Sequence, residues 1–444
     1  MFVARRAPAR RVLLVGMGAI VAGAIYFGTA GSAEIATPQT RINGAPLVAP
    51  AEEIATFANL ADRAVERPRA APKPVAAPVI DLDKITLDGD EYVAQLADGR
   101  RAVLTLDPEL QKLAEKLLDE SRAPRAAIVA MAPDGRVLAL AGRRTVEPKG
   151  SRDGTIDRRL ATEVWAPAAS IFKLVTASAL VKAGVGPDDK VCFHGGIRSV
   201  LEHNLRDDKR DSRCETLTYG VAHSNNAILG KLAFQKLEPK TLEAEARTFG
   251  WTSPLPASFS VHGTTGELAI PPTHDLEFAK TAAGFSTEAG GAKLSVLGGA
   301  LLAATFAADG ERPTPRLIAS IDGVAAVAEP AHRVISADTA RAVARMMMQT
   351  CDDGSAVKSF GKGHKVRVAG KTGTLASTEP FYMEHSWFVG FAPAAKPEII
   401  VSVLLGNPES WHLRGHEAAR RLIDKFTRPA TKREKDRSAK RQRS

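Results

Sequence analysis

Three cysteines in 444 residues, Cys192, Cys214 and Cys351, are too few for a disulfide-dense scaffold, so the fold must rest on a packed core. Net charge is missing from the middle of the chain. Four arginines and no acid give residues 1–11 a charge of +4, and eight basic against two acidic residues give 428–444 a charge of +6, which accounts for the whole formal +10. A neutral interior excludes a basic nucleic-acid groove in the folded part. Metal-ligand spacing is lacking too. His412 and His416 stand four apart, but Leu413 occupies the place where a zincin helix carries its glutamate, and Cys192 and His194 have no partners at ligand distance. A solvated or capping role is left for the two histidines, and neither metal nor cofactor is expected. Gly370-Lys371-Thr372 looks like the end of a phosphate loop, yet Lys365 stands where that loop needs glycine.

Three short motifs carry the chemistry. Ser170-Ile171-Phe172-Lys173 opens a largely apolar stretch, 171–182, that reads as a buried helix closed by Gly184. Positions i and i+3 of a helix share a face, so the Lys173 amine can approach the Ser170 hydroxyl. An ammonium cannot take a proton, so Lys173 has to lose its charge through burial or a cationic neighbour such as Lys371. Free backbone donors near a helix start also favour an oxyanion at Ser170. The same S-x-x-K spacing recurs at Ser355 to Lys358 and Ser359 to Lys362. Both copies lie among glycines and read as surface residues.

Ser224-Asn225-Asn226 follows, just before a helix expected over 227–237. In an extended or turn segment Ser224 and Asn226 would face one cleft, one handling protons and the other holding a substrate amide. A plain polar turn is the alternative. His223 adjoins Ser224 in sequence, which does not make it that serine's base. The third motif is Lys371-Thr372-Gly373, in a strand expected over 366–374 whose Gly373 leaves room for a substrate backbone. Residues 386–391 and 399–405 read as two further antiparallel strands.

In this order, 54 and then 147 residues apart, the motifs resemble the transpeptidase domain of penicillin-binding proteins, within the superfamily that includes serine β-lactamases. Leu104 to Gln111, the strand pair around Asp134-Gly135, Gly370 to Thr374 and Trp387 to Phe391 are similar to the same family, and the resemblance runs from about Ile80 to Phe426. It implies an α+β fold: a five-stranded antiparallel sheet flanked by helices, with an all-helical lobe between the first and third motifs. It implies Ser170 as the nucleophile that is acylated by a D-alanyl-D-alanine stem peptide or a β-lactam, and Lys173 as general base. Ser224 would pass a proton to the leaving amine, with Asn226 and Lys371 ordering the cleft. Thr372 and Thr374 would meet the terminal carboxylate, and the amides of Ser170 and Thr374 would form the oxyanion hole.

The implied activity is D,D-transpeptidation of peptidoglycan stem peptides, with β-lactams as covalent inhibitors. D,D-carboxypeptidase or slow β-lactamase action through the same site is an alternative, and a non-catalytic envelope-binding protein is another. The Glu-x-x-Leu-Asn loop of class A β-lactamases has no match between Asn226 and Lys371, which disfavours rapid penicillin turnover. The roughly seventy residues between the first apolar stretch and Leu106 are too few for a glycosyltransferase domain, making a separate glycosyltransferase a candidate partner. No long pedestal region is evident.

Arg5, Arg6, Arg10 and Arg11 precede an uncharged stretch over 12–33, whose helix would span roughly 30 Å, one hydrocarbon core. Its length favours a retained signal-anchor in the cytoplasmic membrane, with the catalytic part outside it. Cleavage after Ala33 is the alternative. The expected organisation is thus a cytoplasmic segment 1–11, an anchor 12–33, an Ala/Pro-rich linker 34–80, a transpeptidase domain 81–427 and a basic tail 428–444. In an oxidising compartment Cys192 and Cys214 could close a loop worth about 3 kcal/mol, leaving Cys351 over. Three ordinary buried thiols are the alternative.

Overall fold

The hairpin expected at Asp134-Gly135 forms as β1 (Arg125–Met131) and β2 (Val137–Thr145), preceded by α1 (Pro108–Ser121), whose first turn is capped by the Asp107 carboxylate. The computed structural model describes residues 78–145, 154–378 and 381–428. The expected segments 1–11 and 12–33, nearly all of the linker and all but Arg428 of the basic tail therefore lie outside the described residues. Among the described residues no helix is long and apolar enough to cross a membrane.

β1 and β2 join β3 (Gly154–Ile156), β4 (Ala369–Ser377), β5 (Met383–Ala392) and β6 (Ile399–Asn407) in one antiparallel sheet of order β4-β5-β6-β1-β2-β3. The sheet thus has six strands where five were expected. The extra one is a three-residue edge, held by its ladder to Arg143, Arg144 and Thr145, and its sequence is too short to show alternation. Strand β4 starts three residues later than expected and forms the opposite edge.

Side-chain alternation divides the core. Ile128, Ala130, Val401, Val403 and Leu405 pack with Leu110 and Leu117 of α1 and with Leu422 and Ile423 of the C-terminal helix Gly415–Thr427. Their neighbours Ala127, Val129, Val389 and Leu404 face the other way, towards Val296, Leu297 and Leu301 of helix Val296–Ala307. A strand covered on both faces needs apolar residues at nearly every position, and β6 is buried from end to end.

On the second side of the sheet lie α2 (Lys173–Lys182), α3 (Asn226–Lys236), α4 (Leu276–Ala282) and α5 (Ala337–Asp352). The region between the first and third motifs is not the expected all-helical lobe, since the strand pairs Lys190–Phe193 with Arg213–Thr216 and Gly266–Ala269 with Gly291–Leu294 also lie in it, each strand too short to show alternation. Helix α2 is apolar nearly all round, the pattern of a helix enclosed on every side. Unforeseen in the sequence is a second, five-stranded sheet. Strands Thr86–Asp88, Glu91–Gln95 and Arg101–Leu104 continue into Ile318–Ile321 and Val324–Ala325, a pairing across more than two hundred residues.

Candidate active site

The chain enters the site through Ala168 and a short 3₁₀ turn, Ala169–Ile171, before α2 begins at Lys173. Ser170 therefore sits in the tight turn ahead of the helix and not on its first α-helical position. The i+3 relation survives, and Lys173 Nζ lies 2.8 Å from Ser170 Oγ. Ala169 is left-handed (φ 50°) and packs against Gly284, itself at φ 89°. A Cβ on Gly284 would stand 2.4 Å from the Ala169 carbonyl oxygen, so glycine is required by both conformation and space.

Lys173 is wholly buried, and its Nζ has three neighbours: Ser170 Oγ, Asn226 Oδ1 at 2.7 Å and the Ala283 carbonyl. Two of these can only accept. A neutral amine has two N–H groups and one lone pair, so donation to Asn226 and Ala283 leaves the lone pair facing the Ser170 hydroxyl. The Asn226 amide is held in that orientation because its Nδ2 donates to the Arg198 carbonyl at 2.8 Å. Burial pushes the Lys173 ammonium well below the usual lysine value, and the charge of Lys371 pushes the same way.

Ser224 and Asn226 reach the cleft by different means from those expected. Ser224 is left-handed (φ 56°), Asn225 caps α3 through its Oδ1 and the Ile228 N–H, and Asn226 is the first helical residue. The middle residue of the motif is thus the polar-turn residue, while the outer two face the site. Lys371 on β4 is also wholly buried, with Nζ 3.1 Å from Ser224 Oγ and donating to the Thr372 carbonyl at 2.8 Å. Burial lowers its pKa to about 7. The polar contacts fall into two sets, Ser170–Lys173–Asn226 and Ser224–Lys371, and the charge of Lys371 is felt at Lys173.

Edge strand β4 carries Thr372, buried Gly373 and exposed Thr374 past the 3₁₀ turn. Packing within the protein gives a second reason for glycine at 373, beside the expected room for a substrate. A Cβ there would meet Trp387 Cβ at 3.2 Å, Ile171 at 3.3 Å and the Ala168 carbonyl at 3.4 Å, so its smallness lets the turn that carries Ser170 pack on the sheet. Thr372 Oγ1 lies 2.6 Å from Ser355 Oγ, which places one of the discarded S-x-x-K serines at the rim of the site.

The other discarded copy is corrected by burial. Ser359 is inside the protein, 2.7 Å from Nδ1 of His416, so neither is a surface or solvated residue, whereas Lys358, Lys362 and His412 are exposed. Among the described residues no cluster of three or more His, Cys, Asp or Glu side chains could hold a metal ion. Cys192 and Cys214 form a disulfide between opposed positions of strands Lys190–Phe193 and Arg213–Thr216, and Cys351 is a buried thiol. His223 packs against Tyr219 with the rings tilted at 32° and their centroids 4.1 Å apart.

Sequence reasoning missed the carbonyls of Ala283, Ile197 and Arg198 and the glycine at 284. Main-chain acceptors leave no side-chain signature. Gly284 alone carried a signal, as a glycine closing helix α4.

Residues 126–425 match the penicillin binding protein transpeptidase domain. Stage V sporulation protein D of Bacillus subtilis is 26% identical over 366 residues, covering 78% of this chain, and the chain spans about half (55%) of that protein. Peptidoglycan D,D-transpeptidase PbpA of Mycolicibacterium smegmatis is 24% identical over 362 residues, covering 71% of this chain and 69% of the relative. Among solved structures, the D,D-transpeptidase domain of a peptidoglycan glycosyltransferase from Eggerthella lenta superposes with a TM-score of 0.59 at 25% identity, over 74% of this chain and 83% of that one. Penicillin-binding protein A of M. tuberculosis, as a ceftriaxone acyl-enzyme complex, gives 0.57 at 21% identity, over 73% and 80%. With the family match covering most of its length and the fold shared, this chain belongs to the penicillin-binding protein transpeptidase domain family.

Proposed function

We propose that this protein is a peptidoglycan D,D-transpeptidase working through a Ser170 acyl-enzyme. The observation that carries the reading is the set of contacts around Lys173, in which both N–H groups of a neutral amine are taken by acceptors and its lone pair faces Ser170.

As Ser170 Oγ attacks the carbonyl of the penultimate D-alanine, its proton moves to Lys173 Nζ. The backbone amides of Ser170 and Thr374 hold the oxyanion. Collapse breaks the C–N bond, and Ser224, in contact with Lys371, delivers a proton to the departing D-alanine amine. Thr372 and Thr374 bind the terminal carboxylate of the donor, with Lys371 supplying positive charge and Gly373 keeping the strand close to Ser170. An amine of a second stem peptide then attacks the ester and gives up a proton to Ser224, the new amide forms as the C–O bond to Ser170 breaks, and the proton held on Lys173 returns to Ser170. A β-lactam carbonyl enters by the same first step and stays as an ester.

The arginine-flanked apolar stretch 12–33 supports a single-pass anchor in the cytoplasmic membrane, followed by a linker to residue 80, an extracytoplasmic transpeptidase domain over 81–427 and a basic tail. A separate glycosyltransferase is a candidate partner. A fluorescent penicillin tests the site directly: wild type should bind one equivalent covalently and Ser170→Ala none, while donor and acceptor peptides together should yield a crosslinked dimer. Folded wild-type protein that takes up no label would overturn the reading.

A further inference from the structure

The loop between Phe193 and Arg213 is fastened at several points. The Cys192–Cys214 disulfide closes its base. Lys231, wholly buried on α3, donates to the Cys192 carbonyl at 2.9 Å and pairs with Asp211 at 2.6 Å and Asp207 at 2.9 Å. The second oxygen of Asp211 holds His194 Nδ1 at 2.6 Å, and Asn204 Nδ2 donates to the His194 carbonyl, also at 2.6 Å. So held, the loop offers two carbonyls to Asn226: Ile197 accepts from its backbone N–H and Arg198 from its Nδ2, both at 2.8 Å.

The backbone of Arg198 is therefore one hydrogen bond from the side chain that orients Lys173. Its own side chain is exposed, and among the described residues no carboxylate pairs with its guanidinium. Apolar Ile197 and Leu201 are also exposed on the same loop. An arginine on a rigid loop loses little freedom on binding, and its planar fork matches a carboxylate.

From this juxtaposition we propose that Arg198 is a specificity-determining residue that binds a second carboxylate of an anionic stem peptide, one carried by an internal side chain. Thr372, Thr374 and Lys371 stand on the strand wall and serve the terminal carboxylate. Arg198 stands on the helical-lobe wall beside Asn226, so the two carboxylates are read from opposite sides of the cleft. The proposal rests on the acyl-transfer reading above.

The test uses two donor peptides ending in D-alanyl-D-alanine that differ only in one internal side chain, carboxylate in one and carboxamide in the other. D-Alanine release is measured for wild type, Arg198→Gln and Arg198→Glu. Wild type should favour the carboxylate peptide about tenfold in kcat/KM, with the preference shrinking in high salt. Arg198→Gln should bring the ratio to about one, and Arg198→Glu should invert it. A wild type that ignores the carboxylate, or a ratio unchanged in both variants, overturns the proposal. Should the variants fold poorly, the wild-type ratio and its salt dependence decide. Wild type that forms no penicillin adduct would sink the acyl-transfer reading itself, which is a distinguishable failure.

Discussion

Lys173 and Lys371 stand on the two walls of one cleft, both wholly buried and both less basic than an ordinary lysine, yet their surroundings differ. Lys173 meets two obligate acceptors and a hydroxyl, so its neutral form is fully satisfied. Lys371 meets Ser224 Oγ and the Thr372 carbonyl, and with a pKa of about 7 it carries charge for part of the time at neutral pH. Burial alone thus does not assign a role. The count of acceptors against donors suits one lysine to the proposed role of base, and the closeness of its pKa to neutrality suits the other to that of a titrating charge, which lowers the proton affinity of the first.

The contrast is tested most strongly by removing each amine. Lys173→Met should slow penicillin acylation about 10³-fold, the size of a lost general base, while Lys371→Met should cost about 10²-fold through lost charge, both read from pre-steady-state labelling. Equal losses would mean that the two lysines share one role.

A smaller effect separates the two walls by their glycines. Gly284→Ala forces a Cβ into the Ala169 carbonyl at a left-handed position, and should destabilise the protein by about 2 kcal/mol and slow acylation, because Ser170 moves with Ala169. Gly373→Ala meets neighbours at 3.2–3.4 Å with no positive φ, so its cost should stay below about 1 kcal/mol in thermal unfolding.

The smallest signal is a slope. From about pH 7 to lysine's ordinary 10.5 the folded protein binds fewer protons at Lys371 than the unfolded chain does, so stability rises with pH across that window. Below it both states are protonated and the contribution is flat. Denaturant unfolding of Lys371→Met should show a slope lower by up to about 1.4 kcal/mol per pH unit. Lys173, lowered in the same direction, retains its share in that variant.

Elements whose information is local were the ones legible beforehand. The β1–β2 hairpin, strands β5 and β6 and the buried helix after Ser170 announce themselves by runs and alternation of apolar residues. The disulfide was one of two open readings, settled by strand pairing that sets Cys192 opposite Cys214. Less was visible where partners come from afar. Ile318 pairs with Leu104 in the second sheet, and no pattern in either short strand names the other. Ser359 and His416 look like surface residues until α5 and the C-terminal helix enclose them. Gly373 meets a second demand that no local pattern announces, since Trp387, Ile171 and the Ala168 carbonyl crowd it from elsewhere in the chain.

The amino-acid order by itself determined that Ser170 and Lys173 meet, because three residues of helical or 3₁₀ backbone bring side chains to one face whatever surrounds them. Tertiary structure alone decided how weakly this lysine holds a proton. Its desolvation and its two acceptors come from chain 53 and 110 positions away, and proton affinity is a property of the enclosing medium and not of the residue's place in the sequence.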